Sequence, residues 1–400
     1  MQDTEAAMEN APDPEQPVQL PEALMLHILS LLPAAQQAYT ARRVCKAACA
    51  RLRHMTTISA TSADLPLAAL QEMSLHNATS MYKQGHLAAA RAACGDLQGL
   101  QWLHSSGCAW DVRVCSAAAH SGDLALLQWA RQQSPPCAWN KSTCSAAAAG
   151  GQLAVLQWVR QQRPPCPWDE ECCSSAAKAG HLSLLQWARA QDPPCPWGQW
   201  VCTGAAANGH LAVLAWARQA GCKCDDSVCT AAAGAGHLHI LQWARCQDPP
   251  CPWGAGACIA AAREGHLGVL QWLRGGAAAG GQQGGQPCAW NAWVCTAAAA
   301  RGHLDVLQWA RQQGCPWDDS VTRYAAQTGQ LEVLVWARAQ EPPAPWSKAA
   351  CFGAAAEGHL EVLQWLHQQQ CPWNKAFCER IARRNGQLHV LHWLQSLDKE

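Results

Sequence analysis

The chain has 400 residues, with 29 Lys plus Arg against 29 Asp plus Glu, so its formal net charge is zero. Only 14% of residues are charged, too few to build the long-range field that draws phosphate backbones or anionic lipid, and neither nucleic acid nor membrane is expected as a partner. No run approaches the roughly 18 apolar residues that span a bilayer, and the acidic, polar start MQDTEAAMENAPDPEQPVQ is unlike a secretory leader. A soluble protein of the cytoplasm or nucleus is expected.

Residues 1–17 read as a disordered lead-in. The first expected element is an amphipathic helix opened by Leu20-Pro21, with Leu24, Ile28, Leu31 and Leu32 at helical spacing and Pro33 ending it. A second helix is expected over 39–52. The order and spacing of Leu20, Pro21, Leu24, Ile28, Leu29, Leu32, Pro33 and Val44, followed by Cys45-Lys46, resemble an F-box. The aromatic that family usually carries after its Cys-Lys pair is replaced here by Ala48 or Cys49. The resemblance implies a small helical module, 18–54, that docks those apolar side chains on a Skp1-like adaptor. The bland alternative is a helix pair that only caps the array behind it. Residues 55–85 read as a connector with one short helix near 66–73.

From residue 86 to 400 one phrase recurs eleven times, as in GHLSLLQWARAQDPPCPW. Its register is marked by Trp102, Trp129, Trp158, Trp187, Trp216, Trp243, Trp272, Trp309, Trp336, Trp365 and Trp393, at steps of 27, 29, 29, 29, 27, 29, 37, 27, 29 and 28 residues. A fixed period of this size predicts a solenoid, whose units bury their apolar faces only against their neighbours.

The unit 168–196 typifies the repeat. Asp169 suits a helix N-cap, as do Asp111, Asn140, Gly198, Asp225, Gly254, Asn291, Asp318, Ser347 and Asn374 in the other copies. Helix A follows with Cys173, Ala176 and Ala177 at core spacing, and Gly180 stops it. Helix B begins at His181, with Leu182, Leu185 and Trp187 expected on its apolar side and Arg189 leaving that side. A diproline ends helix B in five copies and Gly107, Gly221 or Gly314 in three. The run GGAAAGGQQGGQP at 275–287 is a low-complexity insertion that lengthens one step to 37. AAKAGHLSLLQWARAQ and AAEGHLEVLQWLHQQ resemble the second half of an ankyrin repeat. The resemblance spans 86–400 and implies an all-α, helix-turn-helix solenoid of about eleven repeats. The family's Thr-Pro-Leu-His turn is missing and the repeat is shorter than the family's, so a compact Trp-bearing loop is expected in place of a β-finger.

Of 24 cysteines, nine stand two residues before the loop Trp or its equivalent, and nine more five residues after it. Equivalent positions in stacked helical units lie roughly 8–10 Å apart, whereas a disulfide needs Cα atoms within about 7 Å, so free, buried thiols are expected. The His that opens helix B recurs as His181, His210, His237, His266, His303 and His359, with Gln or Asp elsewhere. A hydrogen bond tying the A–B turn explains it better than a metal ligand. Cys45 with Cys49, and the trio Cys222, Cys224 and Cys229 where one repeat has lost its loop Trp, lack a fourth ligand in sequence. No metal, cofactor or catalytic centre is expected, since no phosphate loop or nucleophile elbow occurs. The two Trp ladders read as packing, not base stacking.

Variable positions on helix A carry what the repeat does not need: Trp200, Trp293, Arg323, Tyr324, Phe352 and Arg380. Large aromatics and Arg are what interface hot spots are made of, so these are the expected partner-binding residues. With the F-box and ankyrin resemblances, the expected function is a non-catalytic substrate receptor of a ubiquitin ligase, its protein target unnamed. A pure scaffold, or a Cys-rich metal- or redox-responsive protein, are the alternatives.

Overall fold

The computed structural model describes residues 81–275 and 287–397. The F-box-like segment with its eight docking residues, the Cys45/Cys49 pair, most of the connector and nearly all of the Gly-rich insertion lie outside the described residues. Described residues fall in two compact units, one ending at Trp168 and the other beginning at Asp169.

The first unit holds repeats 1–3, each a helix A followed by a helix B: Met81–Ala93 with Leu97–Ser105, Val112–Ser121 with Leu124–Gln132, and Lys141–Ala149 with Leu153–Gln161. The second holds repeats 4–11. Its helices A are Glu170–Lys178, Trp200–Ala207, Asp226–Gly234, Ala255–Arg263, Ala292–Arg301, Asp319–Gln327, Lys348–Glu357 and Lys375–Arg384. Its helices B are Leu182–Arg189, Leu211–Gln219, Leu238–Arg245, Leu267–Gly275, Leu304–Gln312, Leu331–Arg338, Leu360–Gln368 and Leu388–Ser396. The chain is thus an all-helical repeat solenoid, with no strand among the described residues.

Most of these helices have only 8 to 10 residues, too few to persist alone in water, so stacking holds them. Within each unit helix A packs on helix A of the next repeat and on its own helix B. Ala and Cys permit that approach. In repeat 4 Cys173, Ala176 and Ala177 meet Leu184, Leu185 and Ala188 in a core from which water is excluded. The buried side of helix B is therefore Leu184, Leu185 and Ala188; Leu182 and Trp187, expected there, are only half-buried. The insertion leaves the stack intact: helix A of repeat 7 still packs on helix A of repeat 8, and Cys288 N–H bonds Leu273 O at 2.9 Å as Cys251 N–H bonds Ala244 O.

Side-chain caps open eight helices A, for example Asp169 accepting from Glu171 N–H and Asn291 from Trp293 N–H, both at 3.1 Å. In repeat 5 the cap falls at Gln199 instead of Gly198 and makes no side-chain bond. Helix B ends as the prolines and glycines demand. Where a diproline follows, Gln133, Gln162, Gln191, Gln247 and Gln340 first donate to the Trp carbonyl of the last turn. Gly107, Gly221 and Gly314 adopt positive φ. In repeat 10 Gln370 holds that conformation (φ 57°) without being glycine.

The residue opening helix B acts differently from expectation. Only Asp96 and Asp123 cap their own helix. His210 Nε2 reaches back to Lys178 O at 3.1 Å, His266 to Gly234 O at 3.2 Å and His303 to Arg263 O at 3.0 Å, each a carbonyl of the preceding repeat. Gln152 donates to His120 O in the same way. In these copies the bond therefore straps neighbouring repeats together; in repeat 9 it ties its own turn as expected, Gln330 donating to Thr328 O at 3.3 Å. Gln can replace His because it too offers an N–H; Asp offers none and caps instead.

Candidate functional site

Three sets of side chains could carry function: the loop Trp and Arg, the exposed face of helix A, and the thiols. The first set is consumed by packing. Arg189 lies over the Trp197 ring at 4.4 Å and donates from Nη1 to Cys195 O at 2.7 Å. Trp197 then meets Trp216 of the next repeat edge-on, with centroids 5.5 Å apart. The same Arg–Trp pair recurs in six other repeats. In repeats 1 and 10 a His does the work: His104 stacks on Trp110 at 4.0 Å, and His367 lies 4.6 Å from Trp373. Arg189, expected to leave the apolar side, is instead the bracket that holds the loop. Packing is thus the role of both Trp ladders.

The second set lies on helix A of the second unit. Trp200 is 57% exposed and Trp293 52%. Trp293 has Tyr324 of the next repeat beside it at 6.2 Å, and the Arg323 guanidinium sits over the Tyr324 ring at 4.5 Å. Arg323 Nε is buried without an acceptor. One turn past Trp200, Thr203 begins an open hollow of about 570 Å³ that crosses helices A of repeats 5–7, lined by Thr230, Gly234, Arg263 and Glu264 among others. Further along, Phe352 touches Phe377 at 4.2 Å, with exposed Arg380 over Phe377 at 4.8 Å. The sequence-predicted residues therefore form two groups, Trp293–Arg323–Tyr324 and Phe352–Arg380, and Trp200 stands apart on the helix A of repeat 5. Phe377 escaped notice, although the signal existed: it and Phe352 are the chain's only two phenylalanines.

Every described cysteine is free. The two ladders nevertheless meet each other. The helix A thiol of a repeat meets the loop cysteine that closes the same repeat: Cys115 donates to Cys137 O at 3.8 Å, and the thiols of Cys115 and Cys295 lie beside those of Cys137 and Cys315. That contact and burial push the Cys115 and Cys295 thiols far above the ordinary range. Comparing each position only with its own copies missed these pairs. The loop thiols also bond backwards, Cys195 to Asp169 O at 3.5 Å and Cys315 to Asn291 O at 3.5 Å.

Repeat 5 breaks this order. Cys222 keeps its place, bonding Gly198 O at 3.4 Å, but Cys224 stands where the other described loops carry Trp. Arg218, with no ring to lie on, turns to the next loop. Its Nη1 donates to Cys251 Sγ at 2.9 Å and its Nη2 to Pro249 O. The thiols of Cys202 and Cys251, together with Arg218, hold Cys224 far below the ordinary thiol range, to about 3. Cys224 is part-exposed, whereas Cys202, Cys222 and Cys251 are buried. Cys229, grouped with them by sequence, is not hydrogen-bonded to Cys224; burial raises it to about 12. Among the described residues no group of three or more His, Cys, Asp or Glu is placed to hold a metal ion, and no helix is long and apolar enough to cross a membrane.

No family model matches the chain, and no curated protein matches it. Among solved structures it is similar to the pentatricopeptide repeat protein PPR10 in complex with an 18-nt psaJ RNA element, at 14% identity and a TM-score of 0.28. That similarity covers 94% of this chain and 67% of the other. A Cys-to-Ser variant of the same protein, also bound to RNA, gives the same values. The likeness is one of helical-repeat fold alone. Those structures hold RNA, which runs against the expectation that nucleic acid is not a partner.

Proposed function

We propose that the chain is a non-catalytic binding protein that holds a protein target on the helix A face of repeats 5–11. One observation carries the reading: Trp293 stands half out of the surface beside Tyr324 and Arg323, at a variable position that three other repeats fill with Ser142, Ser227 and Ser320. Aromatic and Arg side chains with this exposure are typical anchors of protein interfaces, and the hollow beside Trp200 adds small side chains together with Asp226, Arg263 and Glu264 for a partner to meet. The ankyrin-like phrase supports the same role. The F-box-like residues Leu20, Pro21, Leu24, Ile28, Leu29, Leu32, Pro33 and Val44 add a second contact, to a Skp1-like adaptor, making the whole a substrate receptor.

Proximity labelling in the native cell, with the full chain and a Trp200→Ala, Trp293→Ala variant, tests the target site. Proteins labelled by the wild type and lost from the variant are the expected result. Ultraviolet crosslinking in the same cells decides the class of partner: RNA recovered in a Trp293-dependent way would sink the protein reading. A pull-down with a Skp1-like adaptor, lost on Leu24→Asp plus Ile28→Asp, tests the second contact; no binding by the intact chain leaves a scaffold only.

A further inference from the structure

Reactive cysteines share a microenvironment: partial exposure, a cation at the sulfur, and a second thiol within reach. Most thiol pairs in this molecule fail the first condition, since both members are buried, as in Cys173 with Cys195. Repeat 5 meets all three. Cys224 is part-exposed. Its thiol donates to Cys222 O at 3.9 Å and lies beside the thiols of Cys202 and Cys251 and the Arg218 guanidinium, and Arg218 also grips Cys251 Sγ at 2.9 Å. The arrangement follows from the missing Trp, which elsewhere occupies the Arg.

We propose that Cys224 is a site of oxidation by hydroperoxides, resolved by Cys251 into a disulfide that joins the loops of repeats 5 and 6. The Cys224 thiolate attacks the terminal oxygen of the peroxide, the O–O bond breaks, and hydroxide (an alkoxide from an organic hydroperoxide) leaves, giving the sulfenic acid. The Cys251 thiol then attacks that sulfur; its proton and the sulfenic hydroxyl leave as water and the S–S bond forms. Two thiols are oxidised and one peroxide is reduced. Arg218 serves both steps, stabilising the first thiolate and orienting the second sulfur. Cys251 is the resolving thiol because the guanidinium beside Cys224 also holds its sulfur, whereas Cys202 lies inside helix A.

The test uses the full chain, hydrogen peroxide and peptide mass spectrometry, with exposed Cys94 and Cys246 as internal references. Cys224 should react at least about tenfold faster than either reference, and the product should be a Cys224–Cys251 crosslinked peptide. Cys251→Ser should halt the reaction at a sulfenic acid trapped by a cyclic 1,3-dione. Arg218→Gln should bring Cys224 down to the reference rate, and Arg218→Lys should recover part of the difference. Because Arg218 also contacts Pro249, each variant is first checked for an unchanged thermal transition, and Cys251→Ser keeps the test decisive should Arg218→Gln unfold. Oxidation of Cys224 no faster than Cys94 or Cys246, or a crosslink to Cys202, would overturn the proposal.

Discussion

The strap between repeats makes a sharp demand on one glycine. Gly180 has φ +81°, and a Cβ built on it would stand 2.7 Å from His210 Nδ1. Gly180→Ala therefore loses twice. A left-handed L-residue costs about 1–2 kcal/mol, and displacing the ring costs the His210 bond to Lys178 O, about 0.5–1.5 kcal/mol. The sum is about 2–3 kcal/mol. Gly221 separates the two losses: its φ is +84°, yet nothing lies within 4 Å of its Cβ position. Gly221→Ala should cost only the backbone share, about 1–2 kcal/mol, and His210→Ala should rescue Gly180→Ala down to a similar value. Urea unfolding followed by far-ultraviolet circular dichroism, with the midpoint and slope fitted together, reads the wild type, the three single variants and the Gly180→Ala, His210→Ala double variant. If Gly180→Ala costs the same in the wild-type and His210→Ala backgrounds, ring and glycine are not coupled and the strap contributes nothing.

Other outcomes follow from single contacts. Arg189→Ala should destabilise by about 1–2 kcal/mol, from the lost cation–π contact with Trp197 and the charge-assisted bond to Cys195 O; Arg189→Lys should restore less than half, since an ammonium cannot lie flat on the ring. Gln370→Gly should stabilise by about 0.5–1 kcal/mol in the same urea assay, because it removes the positive-φ penalty at the cost of a freer unfolded chain. The Arg113 guanidinium, bonded to both oxygens of Asp111, holds that carboxyl below its usual range. Its folded pKa lies under the unfolded one, so the contribution is full above about pH 4 and fades as pH falls through the lowered value. Asp111→Asn keeps the cap, and its stability should converge with wild type in acid; a gap unchanged down to that range would refute the pairing.

Period and punctuation were legible because they rest on local rules. Asp169, Gly180 and the diprolines each satisfy or terminate a backbone need within a few residues, so the helices they bound could be placed from sequence. Contacts made across the period were not. His210 to Lys178 spans 32 residues and Arg218 to Cys251 spans 33, and no spacing rule announces which neighbour a side chain will choose. Arg189 misled for a related reason. A charged residue at the end of an apolar face is ordinarily solvated, and only the loop folding back over it turns the guanidinium into a bracket. The aromatic groups on helix A were half legible: Trp293 and Tyr324 stood out singly, but their pairing needed the stacking of adjacent helices.

Regular positions have little left to offer a partner. Arg189 uses its face on Trp197 and its N–H on Cys195 O; Trp197 uses its edge on Trp216; His210 uses its Nε2 on Lys178 O. Departures from the pattern leave groups uncommitted, whether a Trp is gained or lost. Gaining Trp293 places an aromatic where no core receives it. Losing the Trp at Cys224 releases Arg218 to activate a thiol. The two sites should therefore separate cleanly. Trp293→Ser, which restores the commonest small residue, should abolish target labelling and leave the peroxide reaction of Cys224 at its wild-type rate. Cys224→Trp should return Arg218 to a ring, raise the melting temperature and abolish the reaction, with target labelling retained. Loss of both activities in either single variant would mean that the exceptions act through the stack as a whole, and the division between committed and uncommitted side chains would fail.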